Sequence, residues 1–313
     1  MASYILRRIL STIPVVFTVA VLVFMLLRLT PGDPALIIAG DSATPTQLED
    51  IRRTMGLDKP LPTQFVMWST QVFKGDLGVS LHSGTEVTSM IADRVWPTLA
   101  LALSTIVLST LVAVPLGVFA AWRRGTRVDR GVMAFSVLGF SVPIFVTGYA
   151  LILLFSMKLG WLPVQGYRPL SAGLVDFARH LVLPTVALST GFIALIARIA
   201  RSSVLEVMGE DYIRTARAKG ITERAVMTAH ALRNAAVPII TIIGISIALL
   251  ISGVVVTESV FNLPGLGRLV VESVLARDYP LIQGLILLFS LIYIGVNLVI
   301  DVLYCIADPR IRY

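Results

Sequence analysis

Six apolar runs of about 20 residues punctuate the chain, each long enough to cross about 30 Å of hydrocarbon as a helix. They fall at 9–29, 98–122, 132–157, 181–200, 237–256 and 281–306, and they predict six membrane-spanning helices. Two of the intervening polar stretches are too long for simple turns. In residues 30–97, Thr46-Gln47-Leu48-Glu49 reads as a capping box, with Leu48, Ile51 and Met55 on one helical face and Gly56 as the stop. Pro60-Leu61-Pro62 breaks the chain, and Phe65, Trp68, Val72 and Phe73 predict a second amphipathic helix ended by Gly75. Such a pair of helices either caps the bundle or receives a partner.

The second long polar stretch, 198–236, predicts a helix, a glycine turn and another helix. Asp211 is placed to cap the first, Ala216 and Ala218 suit its interior, and Gly220 suits the position after its end. Thr222 then caps a second helix through Ala225, Val226, Ala229 and Leu232 to Asn234, and Pro238 opens the next span.

Composition agrees that lipid is the solvent. Apolar residues are 56% of the 313 and charged residues 14%, against about 25% charge in soluble domains. The net charge of +7 raises nucleic acid as a partner, but the distribution of cations answers it. The N-terminus, 123–131, 198–236 and the tail after Ala307 carry 15 of the 26 Lys and Arg, while the much longer opposite loops carry 10. That asymmetry places both termini and 198–236 in the cytoplasm and excludes nucleic-acid binding. Arg7-Arg8 before the first run looks like the start of a signal peptide, yet no small-residue cleavage site follows, so an uncleaved helix is expected. Cys305 is alone and His82, His180 and His230 have no ligand spacing, so no disulfide or metal site is expected.

The chain contains no Gly-x-x-x-x-Gly-Lys-Ser/Thr phosphate loop, no His-Glu-x-x-His helix and no arguable catalytic triad. It is not expected to be an enzyme or to hold a cofactor of its own. Polar residues in the spans supply the remaining chemistry. Arg28 and Lys158 sit at outer ends, where long stems snorkel; Arg198 and Arg201 fit the positive-inside pattern; Asn297, Asp301 and Tyr304 form a stripe suited to bonding neighbouring helices. Pro115, Ser141-Val142-Pro143 and Pro184 interrupt apolar helices, and such kinks often line cavities. Ser141, Pro143 and Thr147 with Tyr149 in the third span, and Ser246 and Ser252 in the fifth, are therefore candidates for a translocation path; hydrogen bonding between helices is the alternative.

The string Asp211-Tyr212-Ile213-Arg214-Thr215-Ala216-Arg217-Ala218-Lys219-Gly220, continued by His230-Ala231-Leu232-Arg233-Asn234-Ala235, resembles the cytoplasmic loop of ABC transporter permeases. It is most similar to the dipeptide/oligopeptide (peptide/nickel) importer family. In the general loop, Glu-Ala-Ala precedes a glycine by three residues, and Ile-x-Leu-Pro follows nine residues later. Here Arg214-Thr215-Ala216 takes the triplet, Gly220 the glycine and His230-Ala231-Leu232-Arg233 the last element, which is the peptide-permease form. Leu29-Thr-Pro-Gly-Asp-Pro34, Gly75-Asp-Leu-Gly78, Asn262-Leu-Pro-Gly-Leu-Gly267, Arg277-Asp-Tyr-Pro280 and Asp308-Pro-Arg310 extend the resemblance nearly end to end.

The resemblance implies an all-α integral membrane protein of type I ABC importer permease fold, with a helical external insertion after the first helix. It implies residues 1–97 as that first helix and insertion, and 98–313 as a five-helix core containing the loop 198–236. It also implies a bacterial inner-membrane subunit that pairs with a second, homologous permease. Two cytoplasmic ATPase subunits, holding ATP and Mg, and an external binding protein would complete the complex. Asp211, Tyr212, Arg214, Thr215, Ala216, Arg217, Ala218, Lys219 and Gly220 would form the coupling helix docked on an ATPase. Glu258, near the outer end of the fifth span, has three readings: an outer gate, a partner for a peptide's amino terminus, or a cap for the following loop helix. The substrate implied is a dipeptide or oligopeptide, with a nickel chelate or glutathione as the alternative. An ion-coupled secondary transporter is a further alternative, although no internal repeat or buried acidic pair supports it. A membrane anchor without a pathway would have no use for a capped, glycine-terminated docking helix.

Overall fold

A computed structural model of the protein describes residues 2–29, 35, 44–54 and 56–307. Met55 and the strings 30–34 and 308–310 lie outside the described residues, as does the side chain of Tyr304. Among the described residues the fold is all-α, apart from one isolated bridge between Val79 and Glu86. Among the described residues five helices are long and apolar enough to cross a membrane, and a bent pair makes up to six spans. The chain forms two compact units, one of residues 6–95 and 269–294, the other of residues 1–5, 96–268 and 295–313.

In the first of these units, α1 (Ala2–Leu29) is followed by α2 (Pro45–Thr54) and α3 (Leu61–Phe73). The capping box of α2 sits two residues ahead of the expected one. Gln47 N donates to Thr44 Oγ1 at 3.4 Å, while Thr44 N donates to Gln47 Oε1 at 2.9 Å. Pro45 takes the first helical position, where its missing N–H costs nothing, and this draws the start forward. Helix α3 lays Phe65 and Trp68 against Phe24 of α1, with ring centroids 5.3 and 5.6 Å apart. Arg28 adds a cation–π contact 3.5 Å from the Phe24 centroid and donates from Nη2 to Gln64 Oε1 at 2.8 Å. Arg28 therefore ties α3 to α1, a more specific task than snorkelling. The segment 79–86 turns back on itself, and its buried Ser80 donates to Oδ2 of the equally buried Asp278 at 2.5 Å. The expected Gly75-Asp-Leu-Gly78 and Arg277-Asp-Tyr-Pro280 strings meet here, with Gly78 facing Pro280.

Helix α4 (Val87–Trp122) begins well before the expected span and continues through Pro115. The third expected span is not one helix. Helix α5 (Arg127–Ser141) stops at Val142, whose extended backbone is the conformation favoured before proline, and α6 (Ile144–Leu151) restarts after Pro143 at a bend of 103°. Seven π-helical residues, Ile152–Lys158, prolong α6. Pro184, by contrast, sits inside the unbroken α7 (Leu174–Val207). Helix α7 is the most buried of the spans, and its Leu188 and Ile196 are fully enclosed. It packs against α5, α6 and α10 (Ala236–Val260). Helix α8 (Asp211–Ala218) follows α7, and α9 runs from Glu223–Ala225 through π-helical Val226–Ala231 to Leu232–Asn234. Helices α11 (Leu266–Leu275) and α12 (Tyr279–Ala307) complete the chain.

Candidate coupling surface and membrane cleft

Helix α8 spans only eight residues, too few for an isolated helix to hold in water. Its inner face anchors it. Ile213 is fully buried and Ala216 nearly so, packed with Val226 of α9 and with Val207, Met208 and Ile221. The N-cap is Glu210 rather than Asp211, with extended backbone and no side-chain capping bond. Asp211 is the first helical residue, where its charge suits the helix dipole, and it pairs with Arg214 at 3.2 Å. That pair is so exposed that it adds little stability.

The other end closes as a Schellman motif. Ile221 N donates to Ala216 O and Gly220 N to Arg217 O, with Gly220 in the left-handed region at φ +78°. Arg217 then bridges to Glu223 at 2.7 Å, and Thr222 caps α9 by accepting from Ala225 N. Partial desolvation, and then the charge of Glu210, raise the Tyr212 phenol above its ordinary range.

Exposed on the outer face are Asp211, Tyr212, Arg214, Thr215, Arg217, Ala218, Lys219 and Gly220. Ala216 is the exception among the expected docking residues, because it fills the chain's own core beneath the helix. Ile213 is the residue that sequence reasoning passed over. Its signal was present as the apolar position three before Ala216 and five after Met208.

Among the described residues, its chain neighbours aside, none lies within 4 Å of a Cβ placed on Gly220. Gly220→Ala is thus expected to cost only about 1 kcal/mol of backbone strain, read as a small drop in thermal unfolding temperature.

The bend in the third span opens a second feature. A cleft of about 260 Å³ lies where Val142, Ile144 and Thr147 face Thr190 of α7 and Ser252 of α10. The fold thus brings together Thr147 and Ser252 and adds Thr190. Ser141 and Ser246 do not join them. The Ser141 hydroxyl donates back to Val137 O at 2.8 Å, and Ser246 is fully buried with its hydroxyl on Ile242 O at 2.7 Å. Pro143 acts through the bend it imposes, standing at the N-cap of α6.

Glu258 is not among the residues that line the cleft. It is fully buried and accepts from Thr98 Oγ1 at 2.5 Å and from Arg268 N at 3.0 Å, while Thr98 accepts from Leu266 N at 2.8 Å. Of its three readings, the cap of the loop helix fits this geometry, because the carboxylate accepts the first-turn amide of Arg268 in α11 while Thr98, bonded to it, accepts that of Leu266.

Comparison with known proteins is consistent across the whole length. Residues 113–313 match the family described as binding-protein-dependent transport system inner membrane component, and residues 1–102 match its N-terminal counterpart. A probable peptide ABC transporter permease protein of Sinorhizobium fredii is 51% identical over all of both chains. A putative peptide transport system permease protein of Brucella abortus is 45% identical, again over all of both chains. A glutathione transport system permease protein of Escherichia coli is 44% identical over the same extent. Among solved structures, an inward-facing MetNI methionine ABC transporter matches with a TM-score of 0.58 at 19% identity, covering 70% of this chain and 96% of that one.

Proposed function

The chain belongs to the family of binding-protein-dependent transport system inner membrane components, the permease subunits of ABC importers, and from that premise we propose a specific role for it. It forms half of a translocation pathway for dipeptides or oligopeptides, beside a second, homologous permease. Two cytoplasmic ATPases supply the energy and an external binding protein delivers the substrate. Both termini and the segment 198–236 face the cytoplasm, as the distribution of Lys and Arg supports.

The observation that carries this reading is α8, a short helix held from below by Ile213 and Ala216 that offers an exposed charged face ending at Gly220. A rigidly seated helix of this kind transmits a push from a docked ATPase, whereas a loosely held one would absorb it. The cleft beside the third-span bend, with Thr147, Thr190 and Ser252, is the part of the pathway that such a push reaches.

Two measurements test the role. The tagged protein is expected to co-purify with two ATPase subunits and a second permease. Cells lacking the chain are expected to lose uptake of labelled dipeptides and tripeptides, and to regain it on complementation. A monodisperse protein with no ATPase partner, transporting on a proton gradient, overturns the reading. The 44% identity to a glutathione permease favours a second substrate, and a labelled-glutathione arm of the uptake assay separates the two.

A further inference from the structure

Asp129 and Arg201 form a two-bonded ion pair that joins the start of α5 to α7. Arg201 Nη2 donates to Asp129 Oδ2 at 2.8 Å and Nε to Oδ1 at 2.5 Å, and Gly125 N donates to Oδ2 at 2.9 Å. Asp129 is 4% exposed, and Thr126 accepts from its amide, so the carboxylate is held in one orientation. The other Arg side chains of this turn, Arg123, Arg124, Arg127 and Arg130, are exposed to solvent. Its place in the chain gives the pair its meaning. Arg201 lies near the last turns of α7, which lead directly into α8, and Val207 at the end of α7 packs on the anchor of α8. Asp129 begins α5, whose other end is the 103° bend beside the cleft.

We propose that the Asp129–Arg201 pair is a positioning element that makes α5 move with α7, so that displacement of α8 reaches the bend at Pro143 and reshapes the cleft. The proposal rests on the coupling role of α8 given above. Apolar packing between α5 and α7 permits sliding along the helix axes, because such contacts are non-directional. A two-bonded Arg–carboxylate fork does not, because both its bonds fix direction.

The test uses the assembled transporter in proteoliposomes. Cys305, the single cysteine of the chain, is replaced by Ser, and Ser252→Cys in the cleft reports through its alkylation rate with and without ATP and vanadate. The native background is expected to show a change of about fivefold or more, the scale of a typical coupling between sites. Asp129→Asn is expected to reduce that change to under about twofold while the ATPase rate of the complex stays within about twofold of native.

Arg201→Lys keeps the charge but loses the fork, so it is expected to behave alike and guards against misfolding of the first variant. A native-sized response in either variant overturns the linkage. Ile213→Asp, which unseats α8, separates the two ideas. Loss of the response there with retention in Asp129→Asn overturns the linkage alone. Retention in both, or no response in the native background, overturns the coupling role of α8 and the linkage with it.

Discussion

Gly265→Ala is expected to destabilise the protein by about 3 kcal/mol, through overpacking and through loss of buried hydrogen bonds. A Cβ at this position would lie 2.0 Å from Oε1 and 2.4 Å from Oε2 of Glu258. The carboxylate has no free direction in which to retreat, because it is fully buried and held by Thr98 and by the amide of Arg268. Any shift that relieves the contact breaks one of those bonds in a site that water does not reach. Glu258→Ala alone is also expected to be costly, since it strands the Arg268 amide and removes a partner of Thr98.

The combination is more informative than either change. With the carboxylate removed, the added methyl group enters vacated space, so Gly265→Ala should cost far less in the Glu258→Ala background. The expected coupling between the two is about 2 kcal/mol, measured by thermal unfolding of the detergent-solubilised protein. Equal cost of Gly265→Ala in both backgrounds would show that the glycine is required for some other reason.

Ile213→Asp is expected to abolish transport while leaving the membrane-spanning helices inserted. The side chain is fully buried under α8, and a carboxylate there has no cationic partner among Ala216, Val226, Val207, Met208 and Ile221. Burying an unpaired charge costs several kcal/mol, more than an eight-residue helix contributes by its own backbone. The expected response is release of α8 from its seat, with uptake falling at least about tenfold and ATP hydrolysis by the complex no longer following substrate. Ile213→Val, which loses one methylene, should cost only about 1 kcal/mol and keep most activity. Normal uptake by Ile213→Asp would remove α8 from the coupling path. Retained uptake by Arg214→Ala would not, because the exposed pair with Asp211 holds nothing in place.

These two positions show what periodicity reveals and what it hides. The seat of α8 was nearly legible, since Asp211, Gly220 and Thr222 mark its ends and its turn by local chemistry. Ala216 was harder to read, because a small residue on a short helix suits close docking and core filling equally, and it is packing with Ile213 and Val226 of α9 that buries it. Glu258 was ambiguous for a similar reason. A carboxylate near the end of an apolar run is costly to bury, and the amide that compensates it comes from Arg268, ten residues further on in the chain. The hydroxyls diverged likewise. Ser141, Ser246 and Ser252 all donate to carbonyls of their own helices, and what sets Ser252 apart is that packing places it with Thr147 on the cleft beside the 103° bend.

By itself the sequence determined the solvent, the number of apolar runs, the polar segment that interrupts them and the ends of its helices. Each of these rests on hydrophobicity summed over about 20 residues or on a cap acting within one helical turn. The tertiary structure decided which proline bends the chain. Pro115 and Pro184 are absorbed within helices, and Pro143 is not. It also decided which charges are structural. Arg201 finds Asp129 across 72 residues, and Ser80 finds Asp278 across 198. Local patterns cannot encode such pairings, because the free energy of a buried charge or hydroxyl depends on the partner brought to it, and that partner is chosen only when the helices pack.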